Sequence, residues 1–169
     1  ASDVYKRQAA DGSVVRAMDG AAAAAVVRAA LEAETYDAVA ICFLNGYLNP
    51  AHEVRLAEIV RGIDPKLSVT CSYEVTREFR EYERASTTTL AAYVQPVIEG
   101  YLGRFVTTLA ENGFDGRFSV MQSNGGRMPA EAMARNAIAA LFSGPAAGVV
   151  GALRQVGASG VRDLITLDM

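Results

Sequence analysis

The sequence predicts an α/β protein with parallel or mixed sheets and flanking helices. Short apolar runs of strand length alternate along the chain with longer segments in which apolar residues recur at helical spacing. Turn residues such as Gly, Pro and Asn separate the two kinds of segment. In the first half the order is strand, helix, strand, helix, strand, and this alternation favours a parallel sheet with right-handed crossovers.

The first half contains five predicted elements. They are, in order, a short strand at Val14 and Val15, a helix over 20–34, a strand over 38–44, a helix from Pro50 to about Arg61 and a strand over 67–71. The run 38–44 is continuously apolar, as expected of a strand that is buried on both faces. Asn49 and Pro50 together form a helix start, with Asn at the cap and Pro in the first turn.

The second half again alternates helix and strand, after a change of composition near residue 85. Before this change, segment 74–84 is dense in charge and predicts a surface helix or connector with a solvated face, formed by Arg77, Glu78, Arg80, Glu81, Glu83 and Arg84. The polar run 86–89 is expected to interrupt the helical pattern. The remaining elements are a long helix over 90–111 that Pro96 should kink or restart, a strand over 118–121, a turn at 124–126, a short helix from Pro129, a helix over 144–156 and a last strand over 161–168.

Composition excludes several classes of protein. The 169 residues include 16 Lys and Arg against 19 Asp and Glu, with no basic block, so we expect no nucleic-acid partner. No stretch approaches the roughly 18 apolar residues of a membrane helix, so we expect no membrane partner. Cys42 and Cys71 lie in apolar runs and fit neither a metal-binding spacing nor a disulfide framework. They indicate reduced core thiols and a cytoplasmic location.

Both ends of the sequence resemble the ends of a fragment. The chain does not begin with Met, and residues 1–8 resemble the peptide that a transposon-end sequencing adapter would encode, so they are excluded from fold reasoning. At the other end, the apolar run 164–169 stops with no turn after it. We therefore expect the chain to be an internal piece of a longer protein.

The clearest candidate site is the glycine-rich helix start at Ser143, Gly144 and Gly148. Pro145 in the first turn would leave the amides of residues 146–148 free to receive an anion. Close packing of the helix on a sheet is the ordinary and preferred explanation of the glycines, and one helix could serve both roles. A second candidate is the segment Gln122, Ser123, Asn124, Gly125 and Gly126, at the end of a predicted strand where open α/β sheets bind ligands, although a plain Asn-Gly turn also accounts for it.

Two further residues have both a functional and an ordinary interpretation. Asp168 ends the last predicted strand, where a carboxylate can hold a metal-bound water near a phosphate, or can be an ordinary strand-end side chain. His52, the one histidine of the chain, lies in the first turn of a helix with no second metal ligand near it in sequence. It is expected to be a solvated helix residue rather than a catalytic base.

Four ordered motifs resemble the hydantoinase A / 5-oxoprolinase family. They are the segments 79–88 (FREYERASTT), 121–126 (MQSNGG), 143–151 (SGPAAGVVG) and 165–169 (ITLDM), and segments 43–44, 47–50 and 52–53 match the N-terminal domain of the same family. The resemblance covers residues 12–169. It implies an actin/hexokinase-like ATPase fold, here incomplete, in which 9–84 end the N-terminal domain and 85–169 begin the ATPase domain.

The resemblance also implies a chemistry. Members of the family use ATP and Mg²⁺ to phosphorylate the oxygen of a cyclic amide and so activate ring opening, commonly together with a B-type subunit. The implied nucleotide-binding residues are Gln122, Ser123, Asn124, Gly125, Gly126, Ser143, Gly144, Gly148 and Asp168, the last through a water on Mg²⁺, and no catalytic residue is identified. A ketone carboxylase subunit and a non-catalytic actin-like scaffold remain alternatives. The family's two Gly-Gly-Thr phosphate loops would lie outside this sequence, so the chain alone is expected to be inactive.

Overall fold

A computed structural model describes residues 8–168 and divides the chain into two compact units, one up to Pro96 and one from Val97 onward. The helices are α1 (Gly20–Ala33), α2 (Ala51–Ile63), α3 (Ser72–Val75), α4 (Glu81–Glu111), α5 (Ala130–Arg135) and α6 (Ser143–Gly157). The strands are β1 (Ala38–Ile41), β2 (Ser68–Cys71), β3 (Ser119–Met121) and β4 (Arg127–Pro129). Helices and both kinds of strand pairing are present, which confirms the predicted α/β class.

The first unit is built on a β1-α2-β2 crossover. Strands β1 and β2 are parallel, as predicted, with Ala38 opposite Ser68 and Ile41 opposite Cys71. Ile41 and Cys71 form a buried apolar core with Ala57 of α2. Helix α1 precedes the crossover and begins where expected, because the Asp19 carboxylate accepts hydrogen bonds from the amides of residues 21 and 22.

Two strand predictions in this unit are wrong in extent. The predicted strand at Val14 and Val15 is reduced to a single antiparallel bridge between Gln8 and Val14. Strand β1 ends at Ile41, three residues early, because the chain then turns: the Gly46 amide donates to the Phe43 carbonyl at 3.1 Å. The adapter-like segment lies outside the described residues except for Gln8, which is buried and donates from its amide group to the carbonyl of residue 49.

Helix α4 runs unbroken for 31 residues from Glu81 to Glu111. The predicted interruption at 86–89 is therefore wrong. The hydroxyls of Thr87, Thr88 and Thr89 each donate to the carbonyl oxygen four residues earlier in the same helix, so they do not compete with the helix for its amide donors. Pro96 lies inside the helix without restarting it.

The second unit contains an antiparallel hairpin and two further helices. Ser119 of β3 faces Pro129 of β4, and Met121 faces Arg127. Helix α5 follows Pro129, as predicted, and a 3₁₀ turn over Ala137–Ala140 leads to α6. Met133 and Ala137 are fully buried in this unit, and Ala130 is nearly so.

The last strand predicted from the sequence is not formed. Residues 161–168 have no regular structure and are exposed, with Ile165 at 96% of its full accessibility. An apolar run becomes a strand only when its amides and carbonyls pair with a neighbour, and none of the four described strands pairs with it. Within residues 8–168, no helix has both the length and the apolar character to cross a bilayer.

Candidate functional site

The segment 122–126 forms the tight turn of the β3-β4 hairpin. The Gln122 amide donates to the Gly126 carbonyl at 2.8 Å, and the Gly125 amide donates to the Gln122 carbonyl at 3.0 Å. The Asn124 side chain accepts from the Gly126 amide at 2.8 Å, and Gly125 has a φ of +81°, which favours glycine. Ser123 is exposed and donates its amide to the carbonyl of residue 139. The turn interpretation is thus confirmed as a description of the backbone.

This turn lies against helix α6. A Cβ atom on Gly125 would come to 3.0 Å from a methyl carbon of Val150, so the absence of a side chain lets the turn approach the helix. The structure therefore brings together two segments that the sequence singled out separately. Both belong to the second unit, and 25 residues of sequence separate Gly125 from Val150.

Helix α6 begins one residue earlier than predicted. Its first residue is Ser143, and the Ala146 amide already donates to the Phe142 carbonyl at 3.2 Å. The free amides expected at residues 146–148 are therefore wrong. A helix leaves the amides of its first turn without an intrahelical acceptor, and Pro145 has none, so the donors at this helix start are Ser143 and Gly144.

No side chain caps the start of α6, and the residue before it has an unusual backbone. Phe142 has a φ of +58° and a ψ of +20°, in the left-handed region that a bulky side chain rarely adopts. Its ring is also 81% exposed, so apolar burial does not offset the cost of this conformation. Strained backbone conformations cluster at binding and catalytic sites, so this helix start is a candidate site.

The glycines of α6 face open space. A Cβ atom on Gly144, Gly148 or Gly151 would meet no heavy atom within 4 Å among the residues that the structure describes. Among the described residues these glycines do not pack on a sheet, and α6 contacts the β3-β4 turn through Val150 instead. Because these glycines carry no side chains, one face of the helix is open to the approach of a bulky group.

Asp168 is not brought to this region by any described contact. It lies exposed in the irregular segment 161–168 rather than at the end of a strand. Residues 8–168 hold no group of three or more His, Cys, Asp or Glu side chains that could bind a metal ion. An ion at Asp168 would therefore need ligands from water and from phosphate oxygens, a mode that Mg²⁺ commonly uses.

A second polar cluster, in the first unit, was not predicted from composition or spacing. Glu53 of α2 and Arg84 of α4 are both fully buried, whereas Arg84 was expected in a solvated face. The Ser72 hydroxyl joins them: it donates to Glu53 Oε1 at 2.7 Å and accepts from Arg84 Nε at 3.1 Å. The exposed positions of Arg77 and Arg80 agree with the prediction.

The backbone supplies the remaining partners of the two charges. Glu53 also accepts from the amides of Phe43 at 2.8 Å and Tyr73 at 3.2 Å. Arg84 also donates to the carbonyl oxygens of Phe43 and Glu78, and its guanidinium lies 5.5 Å from the ring centroid of Tyr47. We call the set Phe43, Glu53, Ser72 and Arg84 the buried polar joint. The one signal that could have found it is the pair of family motifs that contain Glu53 and Arg84.

Three residues next to the buried polar joint are also buried or half-buried. His52 is only 7% exposed and makes interactions within the structure, so the solvated assignment is wrong. Burial raises the pKa of the Cys71 thiol to about 12, with Glu74 and Glu53 adding to the shift, so this thiol stays protonated. Burial and the neighbouring Glu74 also raise the pKa of Tyr73 to about 12. The raised pKa values leave neither the Cys71 thiol nor the Tyr73 phenol prepared to act as a nucleophile or base near neutral pH.

Sequence comparison finds relatives that include a caprolactamase subunit, a 5-oxoprolinase and an uncharacterized protein. The chain is 36% identical to the caprolactamase subunit alpha of Pseudomonas jessenii over 94% of the chain. It is 40% identical to an uncharacterized protein of Methanocaldococcus jannaschii over 71% of the chain and 30% identical to the 5-oxoprolinase of Dictyostelium discoideum over 67%. The chain spans only 23%, 18% and 9% of these three relatives.

Two solved structures have the same fold over nearly the whole chain. One is the ATP-dependent caprolactamase of Pseudomonas jessenii, with a TM-score of 0.81 over 96% of this chain and 23% of that one. The other is a nucleotide-free acetone carboxylase, 26% identical, with a TM-score of 0.76 over 91% of this chain and 22% of that one.

Family models confirm the resemblance that the motifs indicated. The model described as hydantoinase/oxoprolinase matches residues 84–169, about half of the chain. The model of the hydantoinase/oxoprolinase N-terminal region matches residues 2–64. The chain therefore belongs to the hydantoinase/oxoprolinase family.

Proposed function

We propose that this chain is part of an ATP-dependent hydrolase of cyclic amides, of the hydantoinase and 5-oxoprolinase type. The relatives named caprolactamase and 5-oxoprolinase support this class. The observation that carries the proposal is the start of helix α6, where an uncapped helix of 15 residues, a strained Phe142 and three bare glycines occur together.

Ser143 and Gly144 are the proposed contacts to the nucleotide. Their amides point out of the positive end of the helix dipole, and phosphate oxygens are the ligands that such an end binds best. Gly148, one turn further along the helix, keeps the approach free of a side chain. The adjoining turn, from Gln122 to Gly126, is the proposed second contact, and its place against Val150 supports this.

ATP, when bound, supplies a phosphoryl group whose transfer to the amide oxygen would make the ring carbonyl easier to attack. The residues of this chain would bind and orient the phosphates and keep their charge next to backbone donors rather than bulk water. Asp168 is the proposed contact to Mg²⁺, through a water molecule. No proton-transfer residue is assigned.

The domain and partner proposals follow from the family. Residues 9–84 would end the N-terminal domain and residues 85–169 would begin an ATPase domain of the actin/hexokinase type. A B-type subunit is the proposed partner, and the word "subunit" in the names of the caprolactamase and acetophenone carboxylase relatives supports an assembly of more than one chain. A cytoplasmic location is proposed on the two free thiols, Cys42 and Cys71.

An exchange of segments tests the function. The matching segment of the Pseudomonas jessenii caprolactamase subunit alpha would be replaced by residues 9–168 of this chain, and ATP-dependent lactam opening would be measured in the assembled enzyme. Because the fold agrees over 96% of the chain, we expect the chimera to retain activity within about tenfold of its parent, a loss of about 1.4 kcal/mol in transition-state stabilisation. A chimera that folds and assembles but has no ATP-dependent turnover would overturn the proposal.

Ketone carboxylation is the second candidate, favoured by the structural match to acetone carboxylase. The same exchange made in that enzyme separates the two candidates. Activity of the carboxylase chimera together with an inactive lactamase chimera would support the carboxylase. The reverse result would support the cyclic amide hydrolase.

A further inference from the structure

The buried face at the start of helix α4 is polar. Arg84 and Thr88, one turn apart, are both fully buried. The large apolar side chains of the same stretch face solvent instead: Phe79 is 65% exposed and Tyr82 is 82% exposed. Apolar burial therefore does not hold this end of the helix in place, and the hydrogen bonds of Arg84 are the contacts available to do so.

Arg84 makes these bonds to three separate segments. Its Nε donates to the hydroxyl of Ser72, the first residue of α3 directly after β2, and one terminal nitrogen donates to the Phe43 carbonyl, just beyond the end of β1. Its other terminal nitrogen donates to the carbonyl of Glu78 in the connector, at 2.9 Å. The planar guanidinium has donors in a fixed fork, so these three acceptors determine its orientation.

Glu53 forms hydrogen bonds with two of the same residues, Phe43 and Ser72. It accepts from the Phe43 amide and the Ser72 hydroxyl, so the backbone of one residue and the hydroxyl of another each bond to both the buried anion and the buried cation. A buried charge is costly unless it is paired and hydrogen-bonded, and here each nitrogen of the guanidinium and each oxygen of the carboxylate has a hydrogen-bond partner. Removal of one charge would leave the other uncompensated.

We propose that Arg84 is a positioning residue that fastens the first turns of α4 to the carboxyl end of the parallel sheet. The buried polar joint, and not apolar packing, determines where α4 begins. In open α/β sheets this edge is where ligands bind. Here a guanidinium of the chain itself occupies it, so the edge formed by β1 and β2 serves as an anchor for the helix rather than as a ligand site.

Hydrogen exchange in the full chain tests the proposal, with Arg84→Met as the variant and Arg80→Met as its matched control. Arg80 lies one turn earlier, and its side chain is 64% exposed in a surface pair with Glu83. We expect Arg84→Met to accelerate exchange over 81–90 by at least about tenfold relative to exchange over 51–63, and Arg80→Met to change neither segment by more than about twofold. Equal acceleration of both segments, or none, would overturn the proposal.

Ser72→Ala gives a second measurement if Arg84→Met does not fold. It removes the shared hydroxyl and leaves each charge with its backbone partners. We expect the same preference for segment 81–90, at about threefold or more. Exchange over 81–90 that is unchanged in Ser72→Ala would show that α4 is held by other contacts.

Discussion

Gly46 lies in the first unit directly against Glu53 and Phe43, so replacing it tests the buried polar joint. A Cβ atom added at this residue would overlap Glu53 Oε1 and would lie 3.1 Å from the Phe43 carbonyl oxygen. Gly46 itself is buried, so the new methyl group has no route to solvent. Either the carboxylate or the loop over 43–48 must move.

The cost follows from the bonds that the carboxylate would lose. Oε1 accepts from the Phe43 amide at 2.8 Å and from the Ser72 hydroxyl at 2.7 Å. A hydrogen bond to a charged group contributes about 1.5–3 kcal/mol, so loss of both would cost about 3–6 kcal/mol. Partial relaxation of the loop would reduce this, and we expect Gly46→Ala to lower the free energy of unfolding by about 3 kcal/mol. For a domain with a stability of about 5–15 kcal/mol, that is a large fraction.

Urea unfolding followed by circular dichroism measures the effect. Gly62→Ala is the matched control, because a Cβ atom there meets nothing within 4 Å and the residue lies in α2. Alanine is the better helix former, so we expect the control to raise the free energy of unfolding by up to about 1 kcal/mol. If Gly46→Ala costs less than about 1 kcal/mol, Glu53 is free to move and the joint does not hold it as argued.

Three further predictions concern the second unit and the thiol. Gly148→Leu should leave the unfolding free energy of the chain unchanged or slightly higher, because its position is open, and should lower the nucleotide affinity of the chimeric enzyme at least about tenfold. The control Gly157→Leu, on the same helix, should change neither quantity. A destabilised Gly148→Leu would restore the packing explanation. Asp168→Asn should reduce the Mg²⁺-dependent ATP turnover of the chimera about tenfold or more without changing its melting temperature. Unaltered turnover would show that Asp168 is an ordinary exposed carboxylate. Burial raises the pKa of Cys71 from 9.0 to about 12 and that of Tyr73 from 10.0 to about 12, so the folded chain binds these protons more tightly than the unfolded chain does. Their contribution to stability should be complete below pH 9 and lost as the pH rises to about 12. A urea midpoint that stays constant across this interval would contradict the assignment.

The sequence alone determined the elements whose causes are local. Helix α1 begins next to Asp19 and α2 begins after Asn49, where a side-chain oxygen accepts from the first amides of each helix. Two short apolar runs on either side of α2 predicted the parallel pair, and an Asn-Gly step predicted the turn at 124–126, whereas strand β4 beyond this turn was not predicted. The family too was evident from sequence, because its motifs are contiguous segments.

Tertiary structure decided where the charges lie. Arg84 stands in a segment of mixed charge, and nothing in that segment distinguishes it from Arg80, yet one is fully buried and the other exposed. The difference arises from Phe43, 41 residues away in sequence, whose carbonyl oxygen Arg84 reaches only once β1 and β2 have paired. The segment 161–168 is the converse case. It has the composition of a strand, but strand formation depends on a neighbour that supplies hydrogen bonds, and pairing of that kind is a property of the fold rather than of the segment.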